Sequence, residues 1–344
     1  MELYLLDSNF QTLGIIDDYM SLIWRRKYKT VGDFELHCNP LATALLVSSK
    51  YVYRADCLET GMIEQLNAVD DRVTVKGRFL EAILEDKVIW PAKSYTSKTQ
   101  EYIARDLVSS LTGIPLGATA GLGMATNAQI TGNKLMEYVY ELLATQELSP
   151  RIVYNYERDA LEFTVWKGKD RRQSQSVNSW AIFSRNWDNL KESSYSYSCK
   201  DYRNYAYVAG AGESNDRTVV AVDMRAAPES RKRELWVDAR DLQQGELSND
   251  QYAALLRQRG VEKLAEYPVV EKFDATISTD SALEYMTDYD LGDLCTTNNT
   301  DYGISLDARI IEIEEAYENG HLTIKAQFGE GYLSVTDYIR RRFK

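Results

Sequence analysis

The residues with the clearest potential for chemistry are carboxylates near the end of the chain. Glu312, Glu314 and Glu315 form the densest acidic group, and strand alternation places Glu312 and Glu314 on one face. Two carboxylates flanking a sugar bond are the usual machinery of glycoside hydrolysis. The predicted register sets Lys325 opposite Glu314, and such opposite-charge pairs are typical of a solvated sheet face. The pattern therefore leaves a carboxylate hydrolase open without favouring it.

Nucleophilic catalysis is not indicated, because the chain has only two histidines to act as a base. His37 and Cys38 are neighbours in an alternating strand, so their side chains point to opposite faces. His321 follows a predicted turn and is expected at the surface. The cysteines are far apart and form no C-x-x-C pair, which excludes zinc-finger and thioredoxin-like sites. They are Cys38, Cys57, Cys199 and Cys295. We expect no catalytic residue, no enzyme activity and no cofactor.

Two further patterns partly resemble ligand sites. Asp288, Asp290 and Asp293 begin like an EF-hand loop but lack its glycine at position six and its final glutamate. Gly210 and Gly212 follow a strand, but no helix clearly follows that could cradle a phosphate. Neither pattern predicts a defined site, and whether the three aspartates bind a metal stays open.

Two basic patches are candidate interfaces with protein partners. The first combines aromatic and cationic side chains within one predicted strand, which divides them between two faces. The second closes the chain and could contact an acidic partner surface. The candidate interface residues are Trp24, Arg25, Arg26, Tyr28, Arg340, Arg341 and Arg342. The polar segment 170–179, expected to be a mobile loop, and the Gly-rich segment 113–131 are further candidates.

Composition limits the class of protein. The 344 residues include 52 acidic and 40 basic side chains, for a net charge of −12, and 44% are hydrophobic. These values are typical of a soluble globular protein and exclude wholesale disorder. No apolar run is long enough for a membrane span, and the first residues do not resemble a secretory signal. The acidic excess argues against a nucleic-acid binder. The 24 tyrosines suit half-buried strands and interfaces.

The elements that must position these residues are mostly short strands. The first ninety residues predict strands, including a hairpin around Asp70 and Asp71. Helices are predicted after the capping pair Ser97 and Gln100, after Asn133, and after the capping pair Ser248 and Gln251. Residues 195–199 and 202–208 predict a tyrosine-rich strand pair.

The end of the chain predicts a long hairpin. Asn319 and Gly320 form the strongest short turn signal, with Glu318 facing His321 and Ile311 facing Phe328. Apolar parity changes near Ile310, which indicates a bulge there or a strand covered on both faces.

Together these elements predict an α+β, β-rich fold with barrel-like β domains and inserted helices, rather than a doubly wound sheet. The predicted division is an N-terminal β domain (1–95), a helical insertion (96–150), a second β domain (151–240), a helical segment (241–270), and a C-terminal hairpin region (271–344) that packs back on the β domains.

Several stretches resemble one family, the tail-hub proteins of long-tailed bacteriophages and prophages, which are similar to baseplate hubs of contractile tails and to the N-terminal domain of tail-associated lysins. The order and spacing of the stretches carry the resemblance over nearly the whole chain. They are residues 22–28 (LIWRRKY), 32–36 (GDFEL), 237–241 (VDARD), 289–294 (YDLGDL), 307–313 (DARIIEI) and 328–329 (FG).

The resemblance implies a structural role in the virion. Such hubs are homotrimers whose paired barrel-like domains form a pseudo-sixfold ring, matching the sixfold tail tube or distal tail protein on one side. The other side carries a spike, fibre or lysin, and a tape-measure protein is a further candidate partner. Assembly would occur in the cytoplasm of the host bacterium. Longer members append a wall-degrading or adhesin domain, whereas this sequence stops at Lys344, so wall degradation is not expected.

Two other functions remain as alternatives. One is a cell-wall hydrolase that uses the carboxylates of the acidic strands. The other is a carbohydrate-binding baseplate module in which tyrosines and tryptophans stack on sugars. Coplanar aromatic side chains exposed on one face would favour the second alternative, whereas buried Trp24, Trp166 and Trp236 would not.

Overall fold

The computed structural model describes residues 1–329 except 156, 157, 159, 214, 215, 302 and 319. More of these residues form strands than helices, as the alternation predicted. The strands are β1 (Leu3–Leu6), β2 (Thr12–Ile16), β3 (Tyr19–Lys27), β4 (Asp33–Cys38), β5 (Tyr51–Tyr53), β6 (Thr60–Met62), β7 (Gln65–Val69), β8 (Arg72–Arg78), β9 (Lys93–Thr99), β10 (Ala125–Ile130), β11 (Ser149–Asn155), β12 (Ala160–Trp166), β13 (Ile182–Ser184), β14 (Leu190–Ser198), β15 (Tyr205–Ala209), β16 (Val219–Asp223), β17 (Glu234–Asp238), β18 (Val270–Ile277), β19 (Leu294–Asn299), β20 (Ile304–Glu318) and β21 (His321–Gly329).

Four α-helices lie between the described strands. They are α1 (Thr43–Ser48), α2 (Gln100–Thr112), α3 (Leu135–Ala144) and α4 (Asn249–Ala265). Short 3-10 helices cover Pro40–Ala42, Leu80–Asp86 and Arg185–Trp187.

A ten-stranded sheet forms the centre of the fold. Its strands run in the order β14-β18-β21-β20-β3-β4-β8-β7, with β19 pairing to β20 and β13 pairing to β19. Strand β20 joins the two ends of the chain, because β3 pairs on one side of it and β21 on the other. The remaining described strands form one four-stranded, one three-stranded and two two-stranded sheets. The β-rich prediction is confirmed, although these sheets are open and no closed barrel is present among the described residues.

The C-terminal hairpin has the predicted register near its turn. Glu318 faces His321, Glu314 faces Lys325 and Ile313 faces Ala326. A bulge between Ile310 and Glu312 shifts the rest, so Ile310 rather than Ile311 faces Phe328. The bulge is the first of the two predicted explanations for the parity change. The turn residue Asn319 lies outside the described residues.

Helix ends follow capping chemistry, with two corrections to the predicted starts. Thr99 caps α2 by accepting a hydrogen bond from the Tyr102 amide, since Ser97 lies inside β9. Helix α3 starts after Lys134 instead of Asn133, with no side-chain cap. The capping box of Ser248 and Gln251 at α4 is confirmed.

One predicted strand pair is wrong, whereas a predicted hairpin and a predicted loop are present. The predicted pairing of residues 195–199 with 202–208 is wrong, because β14 pairs with β18 while β15 lies between β16 and β17. The hairpin around Asp70 is confirmed as β7 and β8. The Gly-rich segment 113–131 is a loop that ends in β10, which pairs with β9.

Four apolar clusters hold these layers together. One lies under the N-terminal strands and a second under the central sheet. A third surrounds α2, α3, β11 and β12, and the fourth lies between α4 and the three-stranded sheet. Each fully buried Leu, Val or Phe in these clusters contributes about 1.5–3 kcal/mol relative to an exposed position.

Candidate functional site

The predicted interface strand β3 is divided between the interior and the surface. Trp24, Arg26 and Tyr28 point inward and are 0%, 2% and 0% exposed. Arg25 and Lys27 point to the opposite face, as alternation requires. Inward side chains of this kind cannot meet a partner, so Trp24, Arg26 and Tyr28 are removed from the candidate interface. Arg25 remains on it.

Arg26 stands at the centre of a buried charge network. Its guanidinium lies 3.0 Å from the Glu59 carboxylate and 2.6 Å from Asp290, and it donates a 2.9 Å hydrogen bond to the Tyr285 hydroxyl. Burial alone would raise the pKa of Glu59, but Arg26 and Arg151 hold it below the usual value. Removing a charge from water is costly unless it is paired, so these contacts fix the surrounding loops in one arrangement.

A second guanidinium extends the network into β20. Arg54 and Glu315 form a 2.8 Å ion pair, and both side chains are 0% exposed. Glu315 also accepts hydrogen bonds from the hydroxyls of Tyr285 and Tyr317, at 2.8 and 2.9 Å. Tyr285 thereby links Arg26 to the ion pair of Arg54 and Glu315, and it ties the loop before β19 to the central sheet. Sequence reasoning missed this network.

One signal for the network was present in the sequence. Glu315 has the same strand parity as the buried Ile313, and Arg26 has the same parity as Trp24 and Tyr28. A charge on the apolar face of a strand must be paired inside the protein. The partners on distant loops, Arg54, Glu59 and Tyr285, could not be read from that parity.

The outward face of the central sheet carries alternating charges. Arg25 lies 2.7 Å from Glu314 and 2.8 Å from Asp33, and Lys325 lies 3.1 Å from Glu314. This face borders a polar groove of about 440 Å³. The groove residues are Glu192, Ser193, Ser194, Lys272, Asp274, Ala275, Thr276, Glu312, Glu314, Lys325, Ala326 and Gln327.

The two groove glutamates have opposite electrostatic environments. Burial raises the pKa of Glu312. For Glu314 burial acts in the same direction, but hydrogen bonds from Arg25 and Lys325 hold its pKa below the usual value. A raised and a lowered carboxyl pKa side by side is the arrangement of an acid and its partner in hydrolases. The described groove residues include no aromatic side chain that could stack on a sugar ring, and Glu314 is already held by two cations.

The two candidate loops are held by specific hydrogen bonds. In segment 170–179, Arg171 lies 2.7 Å from Asp293 and donates to Ser179. In segment 113–131, the Glu101 carboxylate accepts hydrogen bonds from the amides of Ala120 and Leu122 and from the Thr119 hydroxyl. Both segments therefore present defined surfaces.

The three aspartates of the candidate metal site are each held by other contacts. Asp290 pairs with Arg26 and Asp293 with Arg171, while Asp288 accepts a hydrogen bond from the Glu284 amide. The described part of the chain contains no group of three or more His, Cys, Asp or Glu residues placed to hold a metal ion. None of the described helices is long and apolar enough to cross a membrane. Arg340, Arg341 and Arg342 lie outside the described residues.

The fold is similar to three solved tail proteins over nearly its whole length. A tail protein of Neisseria meningitidis MC58 has a TM-score of 0.62 and 12% identity, with 95% of this chain and 96% of that chain covered. The 43 kDa tail protein of prophage MuSo2 from Shewanella oneidensis has a TM-score of 0.59 and 14% identity, with coverage of 96% and 98%. Prophage tail protein gp18 of Listeria monocytogenes EGD-e has a TM-score of 0.59 and 11% identity, with coverage of 99% and 98%.

Sequence comparison identifies the family. No curated protein matches the sequence. The model of the family described as "Siphovirus ReqiPepy6 Gp37-like protein" matches residues 2–330. The resemblance inferred from the sequence motifs is therefore confirmed. The chain belongs to the siphovirus ReqiPepy6 Gp37-like family, and it shares its fold with phage and prophage tail proteins.

Proposed function

We propose that the protein is a structural tail hub, a homotrimeric ring that joins the sixfold tail tube or distal tail protein to the tail tip. The observation that carries this proposal is the family match over residues 2–330, in a chain whose fold is shared along at least 95% of its length with three tail proteins. A protein that resembles tail proteins from end to end is expected to act within the tail itself.

The surface of the chain supports an assembly role. Four of the six tryptophans are more than half exposed, namely Trp90 (72%), Trp180 (51%), Trp187 (58%) and Trp236 (60%). Tryptophan is enriched in the centres of protein interfaces, where its burial contributes strongly to binding. Tryptophans exposed in one copy therefore favour contacts with other chains.

The proposed partners lie on the two sides of the ring. The distal tail or tail-tube proteins bind one side, the tail-tip, fibre or lysin protein binds the other, and a tape-measure protein is a further candidate. The protein would be part of the virion tail and be assembled in the host bacterial cytoplasm.

We propose the basic C-terminal residues, including Arg340, Arg341 and Arg342, as an attachment point for the tip protein. Deletion of residues 338–344 should abolish capture of the tip protein, and undiminished capture would contradict this attachment.

The net charge suggests how DNA passes the ring. With a net charge of −12, the chain could line a lumen that repels the DNA backbone and lets it slide. A structure of the assembled ring with a basic lumen would refute this part of the proposal.

We propose that the protein is not an enzyme. A hydrolase would have to use Glu312 as the acid, since its pKa is the raised one of the groove pair. A zymogram on bacterial cell walls tests this directly. We expect a blank lane for the wild type; clearing that Glu312→Gln abolishes would establish the hydrolase instead.

The decisive measurement is the absolute mass in solution by light scattering on a sizing column. The monomer is 39.3 kDa, so a closed trimer has a mass of about 118 kDa. A trimer that images as a ring supports the hub. A chain that stays monomeric at every concentration, and that antibody labelling places away from the tail tip in purified particles, contradicts it.

A further inference from the structure

Residues 199–269 form an insertion within a strand pair. Strand β14 ends at Ser198, which is paired with Val270 at the start of β18, so the segment between them leaves and rejoins the central sheet at neighbouring positions. This segment, which we call the inserted unit, contains the three-stranded sheet and α4, and these elements share an apolar cluster of their own. A unit with a separate core meets the rest of the protein along a boundary, and ligand sites are frequent at such boundaries.

A cleft of about 360 Å³ lies where the inserted unit meets the strand pair of β9 and β10. Its lining comes from both strands, from the loop 243–247 and from the first two turns of α4. Leu255 in this lining belongs to the cluster of the inserted unit, whereas Ala128 belongs to the cluster around α2 and α3. The volume lies within the usual range for small-molecule sites, about 300–1,000 Å³ and near its lower end, so a small ligand fits the cleft.

Five amide side chains line the cleft, and each is fixed at one end by a hydrogen bond to a backbone group. The Asn127 oxygen, for example, accepts a 2.9 Å hydrogen bond from the Ser97 amide. The opposite end of each of these amides has no hydrogen-bond partner among the described residues. The cleft therefore presents donors and acceptors that are already held in position. The five residues are Asn127, Gln129, Gln243, Gln244 and Gln251.

The charge of the cleft indicates that its ligand is neutral. Among the described residues that line it, Glu246 alone is charged, and this side chain is exposed. An anionic ligand would be repelled by Glu246 and would meet no cation in the lining. A cationic ligand would find a single solvated carboxylate, and an exposed ion pair of that kind contributes little to binding.

The position of the cleft on the strand pair favours a compact ligand. Ala128 is paired with Tyr95 and Gln129 with Ser94, and all four residues line the cleft. Because both strands take part, the cleft lies over the face of the pair and not along an edge, where an extended peptide could add as a further strand. A small ligand with several hydroxyl groups satisfies amide nitrogens and amide oxygens together, since each hydroxyl donates and accepts.

We propose that this cleft binds a neutral saccharide. The amide nitrogens of Asn127, Gln129 and Gln251 donate to its hydroxyl oxygens, and the amide oxygens of Gln243 and Gln244 accept from its hydroxyl groups. Such a site differs from the sugar-stacking surface considered in the sequence, because fixed amides and not exposed tyrosine and tryptophan rings make the contacts. The inference goes beyond the hub and does not depend on the trimer.

The first test replaces two amides by carboxylates of the same shape in the full chain. Saturation-transfer NMR and calorimetric titration use glucose, galactose, N-acetylglucosamine, rhamnose and maltose as probes at millimolar concentrations. We expect at least one of these sugars to bind the wild type, and the double variant Asn127→Asp with Gln129→Glu to bind it at least tenfold more weakly. Both changes keep the oxygens that accept from Ser97 and Gln243, but they remove the amide donors.

A matched control lies on β7. Gln65→Glu with Asn67→Asp makes the same change of charge on two exposed side chains that also alternate along a strand and lie outside the cleft. This control should bind the sugar as the wild type does, and thermal unfolding of both double variants checks that the fold is retained. Glucuronate should not bind the wild type, because Glu246 would repel it.

Amide hydrogen exchange locates the bound sugar. We expect slower exchange in residues 125–130 and 243–251 when the sugar is present, and no change in the groove strands β14, β18, β20 and β21.

Four outcomes would overturn the proposal. The first is that none of the five sugars binds, and the second is that the Asn127→Asp and Gln129→Glu variant binds as tightly as the wild type. The third is an equal loss of binding in the β7 control, since net charge would then be the cause. The fourth is slower exchange confined to other surfaces. None of these results alters the mass measurement that tests the hub, so the two proposals succeed or fail separately.

Discussion

Glu315 is a carboxylate that the fold places where no water can reach it. Its ion pair with Arg54 spans 2.8 Å, and two tyrosine hydroxyls donate to it. Removing one partner of a buried ion pair leaves the other charge uncompensated, which costs about 3–5 kcal/mol. We expect Glu315→Gln to lower the free energy of unfolding by that amount in urea titrations. Glu318→Gln, at an exposed position on the same strand, should change it by less than about 0.5 kcal/mol. Equal effects of the two changes would contradict this role.

Glu81 makes stability depend on pH through a carboxyl that prefers its neutral form. Burial raises the pKa of Glu81 from 4.5 to about 7, and its oxygen accepts a 3.0 Å hydrogen bond from the Ile152 amide. Between pH 4.5 and about pH 7, the Glu81 carboxyl of the folded chain keeps a proton that the unfolded chain has lost. Its contribution to stability is therefore present at low pH and is lost as the pH rises to about 7.

A neutral amide should remove that pH dependence. The shift from 4.5 to about 7 corresponds to roughly 3 kcal/mol. We expect Glu81→Gln to be as stable as the wild type near pH 4.5 and more stable by about 2–3 kcal/mol at pH 8, because its carbonyl oxygen can still accept from Ile152. Urea unfolding midpoints at both values measure the difference. If the stability difference between Glu81→Gln and the wild type is the same at both pH values, Glu81 is ionised in the folded chain throughout this range.

Helix α4 depends on a glycine that looks unfavourable in the sequence. Gly260 lies in the middle of a helix that continues to Ala265. A Cβ atom at this position would lie 2.6 Å from a methyl group of Val222 and 2.8 Å from one of Val208. The helix therefore packs against the sheet through its bare backbone. Glycine costs about 1 kcal/mol of helix propensity here, but the close approach requires it.

Gly260→Ala tests which effect is larger. The gain in helix propensity is about 1 kcal/mol, whereas forcing a methyl group into a packed contact usually costs about 1–3 kcal/mol. We expect a net loss of stability in thermal unfolding, and recovery when Val222→Ala is added to make room. Arg257→Ala, on the exposed side one turn earlier, should be nearly neutral. A stabilised Gly260→Ala variant would show that the sheet yields to the helix.

The local elements of this chain could be predicted where the cause of the structure is local. The turn residues and the alternation correctly predicted the hairpin of β20 and β21, and the capping pair Ser248 and Gln251 correctly predicted the start of α4. Alternation also predicted which side chains of β3 share a face. It could not predict what covers each face, and the candidate interface residues Trp24 and Tyr28 lie in the core.

The pairing of strands that are distant in the chain could not be predicted from the local sequence. The two adjacent tyrosine-rich segments predict a strand pair, whereas β14 pairs with β18, which begins more than seventy residues after β14 ends. The pairing of β3 with β20 joins residues nearly 290 positions apart, such as Arg25 and Glu314. Such contacts depend on which apolar faces meet after collapse, and many partners satisfy the same alternation. The buried network arises only from these pairings, which is why its loop residues were not foreseen.

At the scale of the whole molecule, the last described strands, β20 and β21, lie inside the central sheet and contribute to its core. Strand β20 lies between β3 and β21, and it supplies Ile310, Ile313 and Glu315 to the interior. Without it, β3 keeps β4 as its only strand partner among the described residues, and Arg54 loses Glu315 and the Tyr317 ring and keeps Asp56 and the Trp24 ring. The N-terminal and C-terminal parts of the chain should therefore fold as one cooperative unit.

A chain divided before β20 tests this unity. We expect residues 1–299 alone to lack native near-ultraviolet circular dichroism and to be degraded quickly by proteases, because a core strand and its buried carboxylate are missing. Adding residues 300–344 as a separate peptide should restore both signals by strand insertion. The same peptide carrying Glu315→Gln should restore them less well, since Arg54 would remain unpaired. If residues 1–299 fold without the peptide, the N-terminal strands form an independent domain, and the hairpin contributes to assembly of the ring and not to the core.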